Sequence, residues 1–346
     1  MRGMSKRQRW SPIIGAAVAL AMVAAACGGD EGDTGTDGNE PSGLSGSITI
    51  SGSSTVEPIS ALVAELFNES NPDVGISVDG PGTGDGFELF CNGETDISDA
   101  SRQIEDDEAA ACEEGGIPYT ELEIAFDGIT VMVNAASAID CLTTADLYAI
   151  WGPQSESVDS TGEANAISER VGGAGDIPDQ PLELVASGEE GGTYDAFIDL
   201  AGIEDTAIEQ GVSEDAAGAL RPDYQSSAND NVIIQAMEGS PNALGFVGFA
   251  FAEAAGEAIK EVAIDAGEGC VAPSAETIAD GTYPLSRSLY IYPNTDAAAE
   301  NEAVQGFVDF YLTDEGLASA VEEAGYIPLP DDRKQATRDE WASMGA

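Results

Sequence analysis

The chain has 346 residues, with 64 Asp or Glu against 12 Lys or Arg and no histidine, a formal net charge of −52. That balance excludes a nucleic-acid partner, because nothing here could displace counterions from a phosphate backbone. Hydrophobic residues make up 42% of the chain and fall in periodic patterns, which excludes wholesale disorder. The acidity is therefore a solvated surface that aids solubility, or an adaptation to high salt, where repulsion is screened.

The first ten residues carry Arg2, Lys6, Arg7 and Arg9, and an apolar run follows over 13–26. That run is shorter than the roughly 20 residues needed to span a bilayer, so residues 1–26 form a secretory signal. The junction V-A-A-A-C resembles a bacterial lipobox, which makes Cys27 the lipidated residue; cleavage near Ala26 without lipid is the alternative. Acyl chains on Cys27 would anchor the protein stably to a cell membrane, at the cell surface or in a periplasm. Residues 27–45 are rich in Gly and Asp, with almost no apolar content, and read as a flexible tether. Four cysteines remain, Cys91, Cys112, Cys141 and Cys270, an even number that suggests two disulfides in an exported chain. Three pairings are open; the favoured one is Cys91 with Cys112 locally and Cys141 with Cys270 across the chain. Close C-x-x-C pairs are missing, so no zinc site is expected.

From 47 onward, strand and helix signals alternate, which is the mark of an α/β protein. S-I-T-I-S alternates as a strand, G-S-S-T-V-E-P is a loop of small hydroxyls, and Ile59, Leu62, Val63, Leu66 and Phe67 have helical spacing. G-I-S-V-D repeats the pattern into a second loop, G-P-G-T-G-D-G, and a helix through Phe87, Phe90 and Cys91. A short strand and turn, D-I-S-D-A-S-R-Q-I, precedes an acidic helix that runs to Cys112. Residues 122–134 hold two apolar runs around Asp127-Gly128 and suit a passage between two lobes. Residues 142–151 look helical, 154–179 read as a surface excursion, and 182–186 form a strand leading to a third glycine loop, G-E-E-G-G-T. Further on, 231–237 is helical, 243–252 apolar and 289–292 a buried strand, with final helices over 304–312 and 317–324.

Each of the three glycine and hydroxyl corners opens a helix, where free N–H groups and the macrodipole favour an anion. Three in one chain are better explained by a shared oxyanion than by chance. The candidate donors are Ser53, Ser54 and Thr55 in the first corner, Thr83 in the second, and Gly191, Gly192 and Thr193 in the third. Beyond the signal only eight basic residues remain. Arg102, beside Ser101 at a strand end, is the expected cation, since its planar fork grips oxyanions bidentately. Arg287 in L-S-R-S-L comes second, as a brace at the hinge. Asp127 is a candidate acceptor for a proton carried by the ligand, which would separate phosphate from sulfate. Asp99 is expected to be structural.

G-S-S-T-V-E-P, D-I-S-D-A-S-R-Q-I, F-D-G-I-T-V-M-V-N, G-G-T-Y-D-A-F, P-N-A-L-G-F-V-G-F-A and Y-P-L-S-R-S-L-Y-I-Y together resemble the phosphate-binding proteins of bacterial phosphate ABC importers. The resemblance runs in order from about residue 46 to 330. It implies a class II periplasmic-binding-protein fold, two α/β lobes joined by two crossovers, with 46–128 plus 253–346 in lobe I and 129–252 in lobe II. Carried over by position, it implies that the Thr55 hydroxyl and the Thr55 and Val56 N–H groups hold phosphate, with Thr83, Ser101, Arg102, Gly192 and Thr193. Gly191 stands where the family has serine, and Ser187 where it has arginine. The implied function is capture of inorganic phosphate for the permease and ATPase subunits of an importer, by a monomer without cofactor or metal. Another oxyanion such as sulfate or arsenate, or a lipid-anchored sensor or adhesin, is the alternative. With no histidine, metal-ligand cluster or nucleophile–base pair, an enzyme is not expected.

Overall fold

Alternating apolar residues make 45–52 a strand whose Ile48 and Ile50 point into the core. The computed structural model describes residues 43–189 and 192–344. The signal, Cys27, nearly all of the tether and Gly191 lie outside the described residues. The first strand, β1 (Ser45–Gly52), pairs in parallel with β2 (Asp73–Asp79) and β3 (Ile97–Ala100). Helix α1 (Glu57–Ser70) has Pro58 in its first turn, where the missing N–H costs nothing, and buries Ile59, Val63 and Phe67. Helix α2 (Thr83–Cys91) buries Phe87 and Phe90. Helix α3 (Asp106–Gly115) begins with a reciprocal Glu105–Glu108 capping box and ends at Gly116 with φ 69°, a left-handed turn suited to glycine.

Strand β4 (Leu122–Asn134) is the long central element. Through Gly128 it pairs antiparallel with β11 (Ser286–Pro293), and from Ile129 it pairs with β8 (Ala243–Gly248). Beyond it come β5 (Cys141–Thr143), α4 (Thr144–Trp151), α5 (Thr161–Arg170), β6 (Glu183–Ala186) and α6 (Gly192–Leu200). With β7 (Gln225–Ser226) the sheet order is β2-β1-β3-β11-β4-β8-β6-β7. Strand β9 (Ile259–Glu261) joins the far end of β4, and β10 (Ala263–Asp265) pairs with β5. Phe197 of α6 stacks on Phe246 of β8, centroids 3.9 Å apart, with the Trp151 ring 5.1 Å from Phe246. That packing fixes which side of α6 is left to face the cleft.

Both disulfides form as favoured: Cys91–Cys112 ties α2 to α3, and Cys141–Cys270 closes a sequence separation of 129 residues. Three local expectations change. Residues 154–179 hold α5, started by the Ser160 side chain accepting from Glu163 N–H. The predicted helix over 142–151 starts at Thr144, because 141–143 is drawn into a ladder with β10. A last helix, Asp331–Met344, is too polar for its sequence to announce a buried face. It is held by Trp341 donating to Asp309 and Arg338 donating to the Leu312 carbonyl. No helix among the described residues is long and apolar enough to cross a membrane.

Candidate functional site

The loops after β1, β2 and β3 meet at the carboxyl ends of these parallel strands, where open α/β sheets bind ligands. They touch because glycine lets them. A Cβ on Gly52, at φ 149°, would overlap the Asp99 carbonyl, and one on Gly86 would overlap Gly52 Cα. Ser53 N–H donates to the Asp99 carbonyl at 2.8 Å, which joins the first corner to β3.

The first corner uses its own N–H groups internally. Thr55 N–H donates to Ser53 Oγ at 3.2 Å, and the Val56 and Glu57 N–H groups donate to the Ser53 carbonyl at 3.1 and 2.9 Å. Val56 is fully buried. What this corner turns toward the cleft is therefore chiefly the Ser54 and Thr55 side chains. Thr83 starts α2, and its Oγ1 lies 3.1 Å from Ser101 Oγ and accepts from Ser101 N–H at 3.2 Å. These four side chains, with Arg102 and Arg287, line a cleft of about 560 Å³.

Helix α6 forms the opposite wall. A Cβ on Gly192 would stand 3.2 Å from the Ser54 carbonyl, so the first turn of α6 closes directly on the first corner. Thr193 is the second residue of that helix. One turn on, Asp195 Oδ2 accepts from Ser54 Oγ at 3.2 Å across the cleft. Asp195 and Asp199 both line the cavity, one helical turn apart. Burial pushes the Asp195 carboxyl above its usual range, opposed by the Ser54 hydroxyl and the Arg287 charge.

The two arginines have different surroundings. Arg102 is gripped by Glu108 through two hydrogen bonds of 2.7 Å, and Glu105 lies 3.3 Å from its Nε. Those bonds push its pKa up. Arg287 is more deeply set, with 12% of its side chain exposed against 38% for Arg102. One terminal nitrogen donates to Thr55 Oγ1 at 3.0 Å and the other to Asp199 Oδ2 at 2.7 Å. Its Nε stands 3.5 Å from Asp127 Oδ2, an ion pair that lacks hydrogen-bond geometry. Asp127 pairs directly with Arg287 in the β4–β11 ladder. Burial pushes the Asp127 carboxyl up, and the Arg287 guanidinium opposes the shift.

Of the residues marked in the sequence, Ser54, Thr55, Thr83, Ser101 and Arg102 come together at the cleft. Gly192 lies against its first corner, Asp127 sits behind Arg287, and Gly191 is outside the described residues. Arg287 reaches into the cleft rather than only bracing a hinge. Sequence reasoning missed Asp195 and Asp199. Their four-residue spacing opposite buried Phe197 was a signal for a shared polar face, but not for what that face meets.

A cleft walled by helix-start corners and backed by a long strand, β4, that passes from one half of the sheet to the other defines a two-lobed α/β binding protein. The chain belongs to the PBP superfamily, whose domain model matches residues 37–315. Protein SphX of Synechocystis sp. is 39% identical over 294 residues, 84% of this chain and 81% of its own length. The phosphate-binding protein PstS of Staphylococcus saprophyticus is 32% identical over 326 residues, 93% and 91% of the two chains. Among solved structures, a possible phosphate binding protein from Planctomyces limnophilus superposes with TM-score 0.76 at 37% identity, over 87% of this chain and 99% of its own. An ABC-type phosphate transport receptor from Vibrio cholerae gives 0.57 at 25% identity, over 82% and 100%.

Proposed function

We propose that this protein captures inorganic phosphate outside the membrane and presents it to the permease and ATPase subunits of an ABC importer. One observation carries the reading: the loops after β1, β2 and β3 bring the Ser54, Thr55, Thr83 and Ser101 hydroxyls and an arginine into one cleft facing the start of α6. Neutral hydroxyls, helix N-termini and a guanidinium replace the hydration shell of an oxyanion without any chemical change to it. The site is not expected to turn anything over. The relatives named above as phosphate-binding proteins support the choice of phosphate over sulfate or arsenate.

In this reading the ligand is held by Ser54, Thr55, Thr83, Ser101 and Arg102 on one wall and Gly191, Gly192 and Thr193 on the other, while the buried Val56 keeps its N–H on the Ser53 carbonyl. Asp127 acts from behind. Cys27 carries the lipid, residues 27–45 span from membrane to body, and the protein works as a monomer. Lobe I begins at 46 and hands over to lobe II at 128–129, where β4 changes partner from β11 to β8. We place the return near 286 rather than 253. Strands β9 and β10 and Cys270 all join the second half, and β11 is the next element to pair with β3.

Titration calorimetry with phosphate, sulfate and arsenate tests the function. The expected outcome is heat with phosphate, a smaller response with arsenate and none with sulfate at equal concentration. A chain that gives no heat with phosphate but binds sulfate would move the reading to the alternative oxyanion.

A further inference from the structure

Two guanidinium groups border the cleft, and their surroundings assign them different work. Arg102 already has both ends of its fork bonded to the Glu108 carboxylate, and Glu108 is itself fixed as the third residue of the α3 capping box. Withdrawing that carboxylate would also unmake a helix start. Arg287 is arranged the other way. Its Nε side faces the buried Asp127 carboxylate across the β4–β11 ladder, which sets the plane of the fork. One terminal nitrogen is on Thr55 Oγ1, inside the first corner. The last partner, Asp199, makes a single 2.7 Å contact, and its side chain is 69% exposed. A carboxylate so exposed can swing into water at little cost, unlike Glu108, whose side chain is 16% exposed.

We propose that Arg287, ahead of the Glu108-bound Arg102, is the principal cation that grips the bound oxyanion, and that the Asp199 carboxylate is its built-in competitor, displaced when the anion enters. This rests on the anion-binding reading of the cleft and adds how that cleft is regulated. A carboxylate oxygen and a phosphate oxygen make the same demand on a guanidinium N–H, so the two exchange without leaving the charge unpaired. Asp199 also lies close enough to raise the pKa of Arg102, so its negative charge is felt by both cations. With Asp199 in place, a second anion beside Arg287 meets like charge. Because Asp199 belongs to α6 while Thr55 and Arg287 do not, the exchange trades a direct tie between the walls for one through the ligand. Affinity is thereby set below what the donors alone would give, and release to a permease is eased.

The test is calorimetry with inorganic phosphate on the wild-type chain, four single variants and one double variant, each checked for a cooperative thermal transition. R287Q is expected to weaken binding by roughly 100-fold, the loss seen when one partner of a desolvated charge pair is removed. R287K should recover only part of it, since an ammonium lacks the fork. R102Q should cost less than about 10-fold, while D199N should tighten binding by about 3- to 10-fold through removal of one like charge. In the R287Q background the D199N gain should shrink, because the competitor has then lost the group it competes for. An R102Q loss equal to that of R287Q, a D199N variant that binds more weakly, or a gain that persists in full without Arg287 would each overturn the proposal. If R287Q does not fold, R287K and D199N decide. If the wild type takes another oxyanion and not phosphate, the phosphate assignment fails, and the same ranking of variants with that ion still judges the latch. If it takes no anion, both fall.

Discussion

Asp99 is completely buried beneath the first corner, and no lysine or arginine among the described residues pairs with it. Ser60 Oγ donates to Oδ1 at 3.0 Å and stands 3.2 Å from the Tyr311 hydroxyl, while Oδ2 has no hydrogen-bond partner. Burial, with the Glu57 charge adding to it, pushes its pKa up to about 8. A carboxyl held protonated in the fold but ionised in the unfolded chain stabilises the protein fully only below about pH 4. That stability drains away as pH rises toward 8, because over that span the folded state binds the extra proton. The slope is at most about 1.4 kcal/mol per pH unit. Asp99→Asn copies the protonated shape and should flatten the fall in Tm between pH 5 and pH 8; an unchanged slope would mean another group carries it. The sequence reading expected Asp99 to be structural. It could not show that the strand would be covered on both faces, which is what sets the pKa.

At the scale of elements, local rules carried far. The hydroxyl corner, its proline-started helix and the repeat of that unit follow from spacing, and the structure places them at 45–70 and 73–91. Failures came where tertiary pairing overrode local pattern. Residues 141–143 became a strand only because β10 lies alongside, and Asp331–Met344 is a helix held by the buried Trp341 and a few polar contacts. The site was half legible for the same reason. Small hydroxyls before a helix are visible in a sequence, but the partner of each arginine is not. Nothing in S-R-Q-I-E-D-D-E states that Glu108 turns back onto Arg102 instead of facing solvent. The β5–β10 ladder is three residues long and is secured by Cys141–Cys270. Replacing both cysteines by serine should lower unfolding free energy by about 2–5 kcal/mol, measured by denaturant titration under oxidising conditions. A loss within error of zero would show that the ladder holds without the bond.

For the whole molecule, a net charge of −52 is a standing repulsion that the fold has to overcome. Raising NaCl from 10 mM to 1 M shortens the screening length from about 30 Å to about 3 Å, so the melting temperature should climb across that range. A flat or falling curve would mean that ion pairs such as Arg338–Asp314 outweigh the repulsion. The sheet order also has a consequence in time. Strand β11 lies between β3 and β4, yet it is completed more than 180 residues after β3 ends. While the chain is still being completed, β1, β2 and β3 can assemble, but the inner edge of β3 has no neighbour until the last quarter arrives. An open strand edge of this kind invites pairing with the wrong chain. The first corner, which takes its shape from the Asp99 carbonyl on β3, is thus among the last parts to become secure. Truncation anywhere before 286 leaves not a smaller binder but an unfinished sheet.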